Sequence, residues 1–293
     1  MLSRNNLLPG VLACALLGAC AAEKSMPQWD GKESTAAYAQ RAGLAPTLTL
    51  DLGDGIKMEL VLVPAGKFLM GSPETEKQRN PNEGPQHEVT ISKAFYMGKY
   101  VVTLEQYQKI TGVNPNHFKG PNVPVEQISW FDARDFCVKL SAVCGRTVRL
   151  PTEAEFEYAC RAGSTTAYYF GDDETKLGDY AWYGSNSNKM MHPVGEKKPN
   201  AWGLYDMHGN VWEWCQDLYE EYPAGPVTDP QGATQGTLRD LRGGGWGNNA
   251  AHSRSAHRGA HDPDHRGDPR GCRVVVPVSP PPAPLSTTRP SGA

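Results

Sequence analysis

Residues 149–163 read RLPTEAEFEYACRAG. Pro151 ends whatever precedes it, because its ring removes a backbone donor and fixes φ. Thr152 and Glu155 then form a capping box, in which each side chain satisfies the other's free backbone amide. A helix is expected over 153–161, stopped at Gly163. Working outward, Thr103 with Gln106 makes a second box, and Ser129 with Asp132 a weaker third. These predict helices over 104–111 and 130–142, stopped by Gly112 and Gly145. In the latter, Phe131, Phe136, Val138 and Leu140 are too spread for a narrow stripe, so that helix should be well buried. Leu48–Leu52 and Ile56–Val63 read as strands around the turn Gly53-Asp54-Gly55, and Phe68–Met70 as another. After Gly163 the chain is loop-rich up to Trp214. Few regular elements and much ordered loop are an α+β signature.

The chain has 293 residues and a net charge of −3. That size allows one large domain or two small ones. The charge points to no nucleic-acid partner. With 31 Gly, 24 Pro, seven Trp and twelve Tyr, loops around a compact core are expected rather than a helical bundle. At the N-terminus, Arg4 precedes an apolar run, Leu7–Leu17, too short to span a bilayer. Leu17-Gly18-Ala19-Cys20 resembles the lipobox of bacterial lipoproteins. That resemblance implies a signal peptide over 1–19, lipidation of Cys20 and anchoring in the bacterial cell envelope. With no Asp after Cys20, the outer membrane and surface exposure are expected. Each buried acyl CH₂ contributes about 0.8 kcal/mol. A plain signal peptide cut near Ala22 is the alternative. Residues 20–46 read as a flexible spacer, 47–276 as the folded domain, and 277–293 as a Pro-rich solvated tail. Five cysteines remain after processing: Cys137, Cys144, Cys160, Cys215 and Cys272. Five is odd, so at least one thiol is unpaired or pairs between chains.

One stretch resists a packing account. Residues 242–276 read RGGGWGNNAAHSRSAHRGAHDPDHRGDPRGCRVVV. From Gly247 to Arg273 there is no Leu, Ile, Val, Phe, Tyr, Met, Trp, Lys, Glu or Gln. A segment this poor in apolar side chains should not fold by itself. As a metal site, it offers His257, His261 and His265 at a spacing of four, with Asp262 or Asp264 as a third ligand. Gly259 and Pro263 interrupt any such helix. As a plain solvated loop, it would be pinned at both ends by Trp246 and Val274–Val276.

Six ordered blocks carry a resemblance: VPAGKFLMGS (63–72), GPQHEVTISKAFYMGKYVVTLEQY (84–107), PVEQISWFDARDFC (124–137), RLPTEAEFEYACRAG (149–163), PNAWGLYDMHGNVWEW (199–214) and LRGGGW (241–246). Over about residues 56–276 the chain resembles the formylglycine-generating enzyme, or sulfatase-modifying factor, family. The resemblance implies a loop-rich α+β fold of the C-type-lectin-like kind. The family's enzymes hold copper with two cysteines. The matching positions here are Asn248 and Ser253, so no copper and no formylglycine reaction are expected, because Cu(I) prefers thiolates. A family calcium site matches Asn200, Ala201, Gly203 and Tyr205, and structural calcium is expected there. A second calcium site is put in doubt by the segment Tyr180-Ala181-Trp182-Tyr183. In G-N-V-W-E-W, Trp212 and Trp214 read as core. Glu213 reads as a buried acceptor for loop amides or an Arg.

Within the family, residues 242–276 resemble the C-terminal segment of the variable proteins of diversity-generating retroelements, whose asparagine codons are randomised at adenines. Where Asn would be expected, this chain carries Gly247, Ala251, His252, His257, Gly259, Ala260, His261, Asp262, His265, Gly267, Asp268 and Pro269, while Asn248 and Asn249 remain. An AAC codon changed only at adenines cannot yield Lys, Glu, Gln, Met or Trp, and none occurs there. The intervening frame survives as Arg254-Ser255-Ala256, Arg258, Pro263-Asp264, Arg266 and Gly271. The expected ligand-binding residues are therefore Trp246, Gly247, Asn248, Asn249, Ala251, His252, His257, Gly259, Ala260, His261, Asp262, His265, Gly267 and Asp268. Their histidines should make binding sensitive to pH near 6 to 7.

The resulting expectation is a non-catalytic surface lipoprotein that binds an unknown protein or surface ligand and meets the membrane through its lipid anchor. The alternative is a periplasmic, metal-dependent oxidoreductase of the same family acting on a peptide or siderophore. A sugar-binding lectin ranks last, because the E-P-N-type triplet is absent.

Overall fold

The computed structural model describes residues 26–267 and 269–278. Its regular elements are α1 (Thr35–Ala42), β1 (Thr47–Asp51), β2 (Lys57–Val63), β3 (Gly66–Met70), β4 (His87–Ile91), β5 (Phe95–Gly98), α2 (Leu104–Thr111), α3 (Trp130–Cys144), α4 (Glu153–Arg161), α5 (Leu177–Tyr180), β6 (Trp212–Leu218), β7 (Val227–Thr228), β8 (Arg239–Arg242), β9 (Gly259–His261), β10 (Arg270–Gly271) and β11 (Val275–Pro277). The fold is loop-rich α+β.

All three capping boxes form, at Thr103, Ser129 and Thr152. Gly112 and Gly145 end α2 and α3 in the left-handed conformation. For α4 that role falls one residue early, to Ala162 at φ 44°. Helix α3 is less buried than expected. It buries Trp130, Ala133, Phe136, Cys137 and Leu140, while Val138 and Val143 face solvent. Its apolar residues thus occupy two faces, of which one packs.

The first sheet runs β1-β2-β5-β11, antiparallel throughout. Strand side chains alternate between faces, and β2 uses both. Leu60 and Leu62 enter a core with Tyr38, Phe136, Leu140 and Trp214. Val61 and Val63 enter a second core with Phe95, Phe156, Tyr158 and Trp202. Burial on both faces explains why 58–63 reads as a nearly unbroken apolar run. A second sheet runs β10-β6-β8-β9, and a third β3-β4-β7.

Residues 26–46 are not a spacer. Ser34 caps α1, and Gly43 ends it at φ 69°. Tyr38 is fully buried, donates through Oη to Pro27 O at 2.8 Å, and accepts the Ala65 amide at 3.1 Å. Trp29 stacks edge-on against Trp202. The domain therefore begins at least as early as Met26. At the other end Pro277, expected in the tail, pairs with Phe95 in the first sheet. The proposed lipidation site Cys20 and most of the tail lie outside the described residues.

Candidate functional site

Residues 242–276 start in the second sheet, as β8, and finish in the first, as β11. Four buried arginines order what lies between. Arg242 pairs with Glu157 and donates to the carbonyls of Ser255 (2.8 Å), Ala256 (3.0 Å) and His257 (2.8 Å). The loop is folded around that guanidinium. Arg254 reaches Glu76 at 2.6 Å and Glu83 at 2.5 and 2.7 Å. Arg258 grips Glu153 through Nε and Nη2, at 2.6 and 2.8 Å. Arg273 makes a two-pronged bond to Glu213, 2.9 Å on each side, and donates to Gly98 O and Tyr205 O. Five N–H donors in a fixed fork suit such carboxylate and carbonyl recognition. These bonds replace the apolar contacts the segment lacks. Glu213 has the arginine partner expected of it, and Trp214 is core.

Backbone geometry completes the anchoring. Gly244 sits at φ 74°, and a Cβ there would meet His252 O at 2.8 Å. Trp130 N donates to Pro263 O at 2.9 Å, and Arg266 pairs with Asp132. Of the frame residues, Arg254, Ser255, Ala256, Arg258 and Gly271 are buried, Pro263 is half-buried, and Asp264 and Arg266 are exposed.

Between them, Gly247, Asn249, Asp262 and His265 are exposed. Trp246, Asn248, Ala251, His252, Gly259, Ala260, His261 and Gly267 are half-buried, and Asp268 lies outside the described residues. Trp212, Leu241, His252, His257, Gly259, Ala260, His261 and Arg270 line a shallow cleft of about 250 Å³. Trp212 is thus only partly core. Its Nε1 donates to Asn248 Oδ1 at 2.8 Å, which also accepts the Gly245 amide at 3.1 Å. Asn248 therefore holds the turn and fixes the Trp212 ring that lines the cleft.

His257 departs from the expected pattern. It is buried, its Nδ1 lies 3.2 Å from Asn80 Nδ2 and 3.6 Å from Glu83 Oε1, and its ring packs edge-on to His252. Burial lowers its pKa against the opposing pull of Glu83. His261 is also lowered, by burial first and then by Arg270 and His265. Both titrate below the ordinary histidine range, so pH sensitivity through them moves to the acid side of 6 to 7. The histidines form two pairs rather than a triad: His252 with His257, and His261 with His265 at 3.9 Å between ring centroids. Among the described residues no group of three or more His, Cys, Asp or Glu is arranged to hold a metal ion.

The expected cofactor positions can be tested against their own hydrogen bonds. Calcium requires oxygen ligands. Asn200 Oδ1 already accepts the amides of Trp202 and Leu204, at 3.0 and 3.1 Å, and Nδ2 donates to Ala159 O and Cys160 O. Gly203 N donates to Asn200 O, Ala201 is exposed, and Tyr205 O accepts Arg273. Asn200 is the pivot of a turn, and its side-chain oxygen is engaged by two backbone amides. At the copper positions, Asn248 Oδ1 is engaged and Ser253 is buried, with no sulfur at either. The Cys160 thiol, 3.9 Å from Ser255 Oγ, is pushed up to about 12 by burial. This donor set does not fit copper held by two thiolates. All five cysteines of the described residues are free thiols.

Residues 55–278 match the model of the sulfatase-modifying factor enzyme 1-like domain. The chain belongs to the formylglycine-generating enzyme family. Within this family, chaperone protein LppX of Paenibacillus barcinonensis is 29% identical over 74% of this chain and 89% of its own length. Treponema denticola variable protein 1 superposes with a TM-score of 0.73 at 29% identity, covering 79% of this chain and 99% of its own. PvdO from Pseudomonas aeruginosa superposes at 0.72 with 33% identity, covering 80% and 99%.

The carboxylates that receive the arginines, Glu76, Glu83, Glu153 and Glu157, escaped sequence reasoning. One signal was available: Glu153, Glu155 and Glu157 crowd one short helix, and all three are buried. Buried acids imply buried cations.

Proposed function

We propose that this chain is a non-catalytic ligand-binding protein of the cell envelope, in which the exposed positions of residues 247–267 form the binding face. One observation carries this reading. Along the segment, Arg254, Ser255, Ala256 and Arg258 are buried, with both arginines paired to scaffold carboxylates, while Gly247, Asn249, Asp262 and His265 lie at the surface with small or polar side chains. Such a face accepts new side chains without disturbing the fold, as binding loops do on a rigid scaffold. The likeness to Treponema denticola variable protein 1 supports it. Anchoring through an acylated Cys20 belongs to the same proposal.

The test is genetic and direct. A reverse-transcriptase gene and a near-copy of the DNA for residues 242–276 should neighbour the coding sequence, with differences confined to adenines of the copy. Mass spectrometry of the mature N-terminus should find acylated Cys20; a free N-terminus after Ala22 would remove the anchor.

The second reading, an oxidoreductase acting on a peptide or siderophore, draws support from the match to the sulfatase-modifying factor enzyme domain. Oxygen consumption by purified protein with such a substrate, in a genome lacking the copy, would replace the first reading with this one.

A further inference from the structure

A second cavity, sharing no lining residue with the cleft, lies between the β3-β4-β7 sheet and strands β6 and β8. It holds about 230 Å³, room for several waters. Met70, Leu218 and Val227 give it apolar walls, with Tyr222 beside them. Five carboxylates line it, Glu153, Asp217 and Asp240 inside and the exposed Glu220 and Glu221 at its edge, with no lysine or arginine.

The inner carboxylates are not equally neutralised. Glu153 receives two hydrogen bonds from Arg258, and Glu157 behind it is paired with Arg161 and Arg242. Asp217 Oδ2 accepts the Glu153 amide at 2.9 Å. Asp240 is 1% exposed, and its Oδ1 has no hydrogen-bond partner. Arg258 Nη2 stands 3.5 Å from that oxygen while bonded to Glu153. A buried acceptor left open costs about 1–3 kcal/mol, and more when charged. Asp240 is among the residues that line the cavity.

We propose that this cavity binds a primary alkylammonium group, with the nitrogen at Asp240 and Asp217 and the hydrocarbon stem against Met70, Leu218 and Val227. The apolar walls favour an amine with a stem over a bare metal ion. The carboxylates are not arranged as a metal site, and both Glu153 oxygens are engaged by Arg258. The amine can be a free small molecule or a lysine side chain.

The surrounding charges set the pH behaviour. Asp217 faces Glu153 and Glu155 on α4 and Asp240 and Arg239 on β8; Asp240 also faces Arg258 and Arg242. His87 on β4 and Tyr222, Glu220 and Glu221 on the covering loop complete the lining. Burial first, and the Glu153 charge next, hold Asp217 up to about 8 and raise Asp240. An alkylammonium keeps its proton to about pH 10, so its affinity should rise as these acids ionise.

Calorimetric titration of the full chain with n-butylammonium chloride tests the proposal. N-α-acetyl-lysine N-methylamide, n-butanol and calcium chloride run alongside, to about 20 mM, where a millimolar site saturates. Saturable ammonium binding is expected, about tenfold or more tighter than butanol and weakened about tenfold by Asp240→Asn, the scale of a charged hydrogen bond. It should also be several-fold tighter near pH 8.5 than near pH 6. Comparable affinity of the lysine derivative assigns the site to lysine side chains; its exclusion assigns it to free amines. Should Asp240→Asn fail to fold by circular dichroism, the surface pair Glu220→Gln and Glu221→Gln must weaken binding in a salt-dependent way. Butanol binding as well as the ammonium, calcium binding more tightly, no saturation at either pH, or unchanged affinity in the folded variants overturns the proposal.

Discussion

The substitution Arg242→Met asks whether charge, rather than apolar packing, orders the C-terminal segment. Methionine keeps the stem and removes the guanidinium. Glu157 retains its bond from Arg161, but the carbonyls of Ser255, Ala256 and His257 lose the donor that gathers them. Removing one partner of a buried pair costs about 3–5 kcal/mol, and each orphaned carbonyl about 1–3 kcal/mol where no water can replace the donor. These losses overlap, so about 4–5 kcal/mol is the expected total. In a domain of this size each kcal/mol moves Tm by about 2–4 °C, giving a fall of about 8–20 °C by scanning calorimetry. Amide exchange should accelerate across residues 253–259 before the core opens. Adding Glu157→Gln should return part of the loss, because the acid no longer faces an unfilled space; couplings of about 0.5–3 kcal/mol are usual for contacting residues. A fall below about 3 °C, the scale of an ordinary surface change, would refute the claim that Arg242 builds the loop.

Other expectations follow from the same geometry. Combining Asn249→Ala, Asp262→Ala and His265→Ala should change stability by under about 1.5 kcal/mol, since exposed substitutions usually stay within about 0.5 kcal/mol each; urea denaturation showing a collapsed domain would remove the display reading. Asp206 is buried, its Oδ1 lacks a hydrogen-bond partner, and burial raises its pKa to about 6. Because the folded value exceeds the unfolded one of about 3.9, its contribution is whole below about pH 4 and lost as pH climbs through 6, a span of about 3 kcal/mol. Asp206→Asn keeps the acceptor for the Gly195 amide, so its stability relative to the parent should improve from pH 4 to 7; a constant difference would count against the shift. Among the described cysteines only Cys144 is not buried, so iodoacetamide at neutral pH should alkylate it first in the native protein, with Cys137, Cys160, Cys215 and Cys272 reacting only on unfolding.

What could be read from the sequence was what neighbours decide. Each capping box spans four residues, so Thr103, Ser129 and Thr152 announce their helices without help from distant parts of the chain. The apolar run of β2 and the Glu213 acceptor were legible for similar reasons, as short patterns with one good physical explanation. The first helix was also locally encoded, by Ser34 and Gly43. Its low apolar content concealed it, since the decisive contact, Tyr38 with Ala65, lies 27 residues away. Ion-pair partners were the least legible. Arg254 and Glu83 stand 171 positions apart, and Arg258 and Glu153 105 apart. No spacing rule selects those acids from the others.

The same non-locality divides residues 242–276. His257 and Arg258 are adjacent, and the resemblance to the variable-protein pattern implied a variable face for the histidine and the frame for the arginine. Both are buried, because Glu83 and Asn80 lie close to the histidine much as Glu153 receives the arginine. Position 257 therefore belongs to the anchoring side of the segment. A diversified copy that placed a large or acidic residue there would meet Glu83 before it met a ligand. On the proposed reading, tolerance to substitution is set residue by residue, by which side chains the scaffold's acids reach, and a search for tolerated variants should find 257 more restricted than 249, 262 or 265.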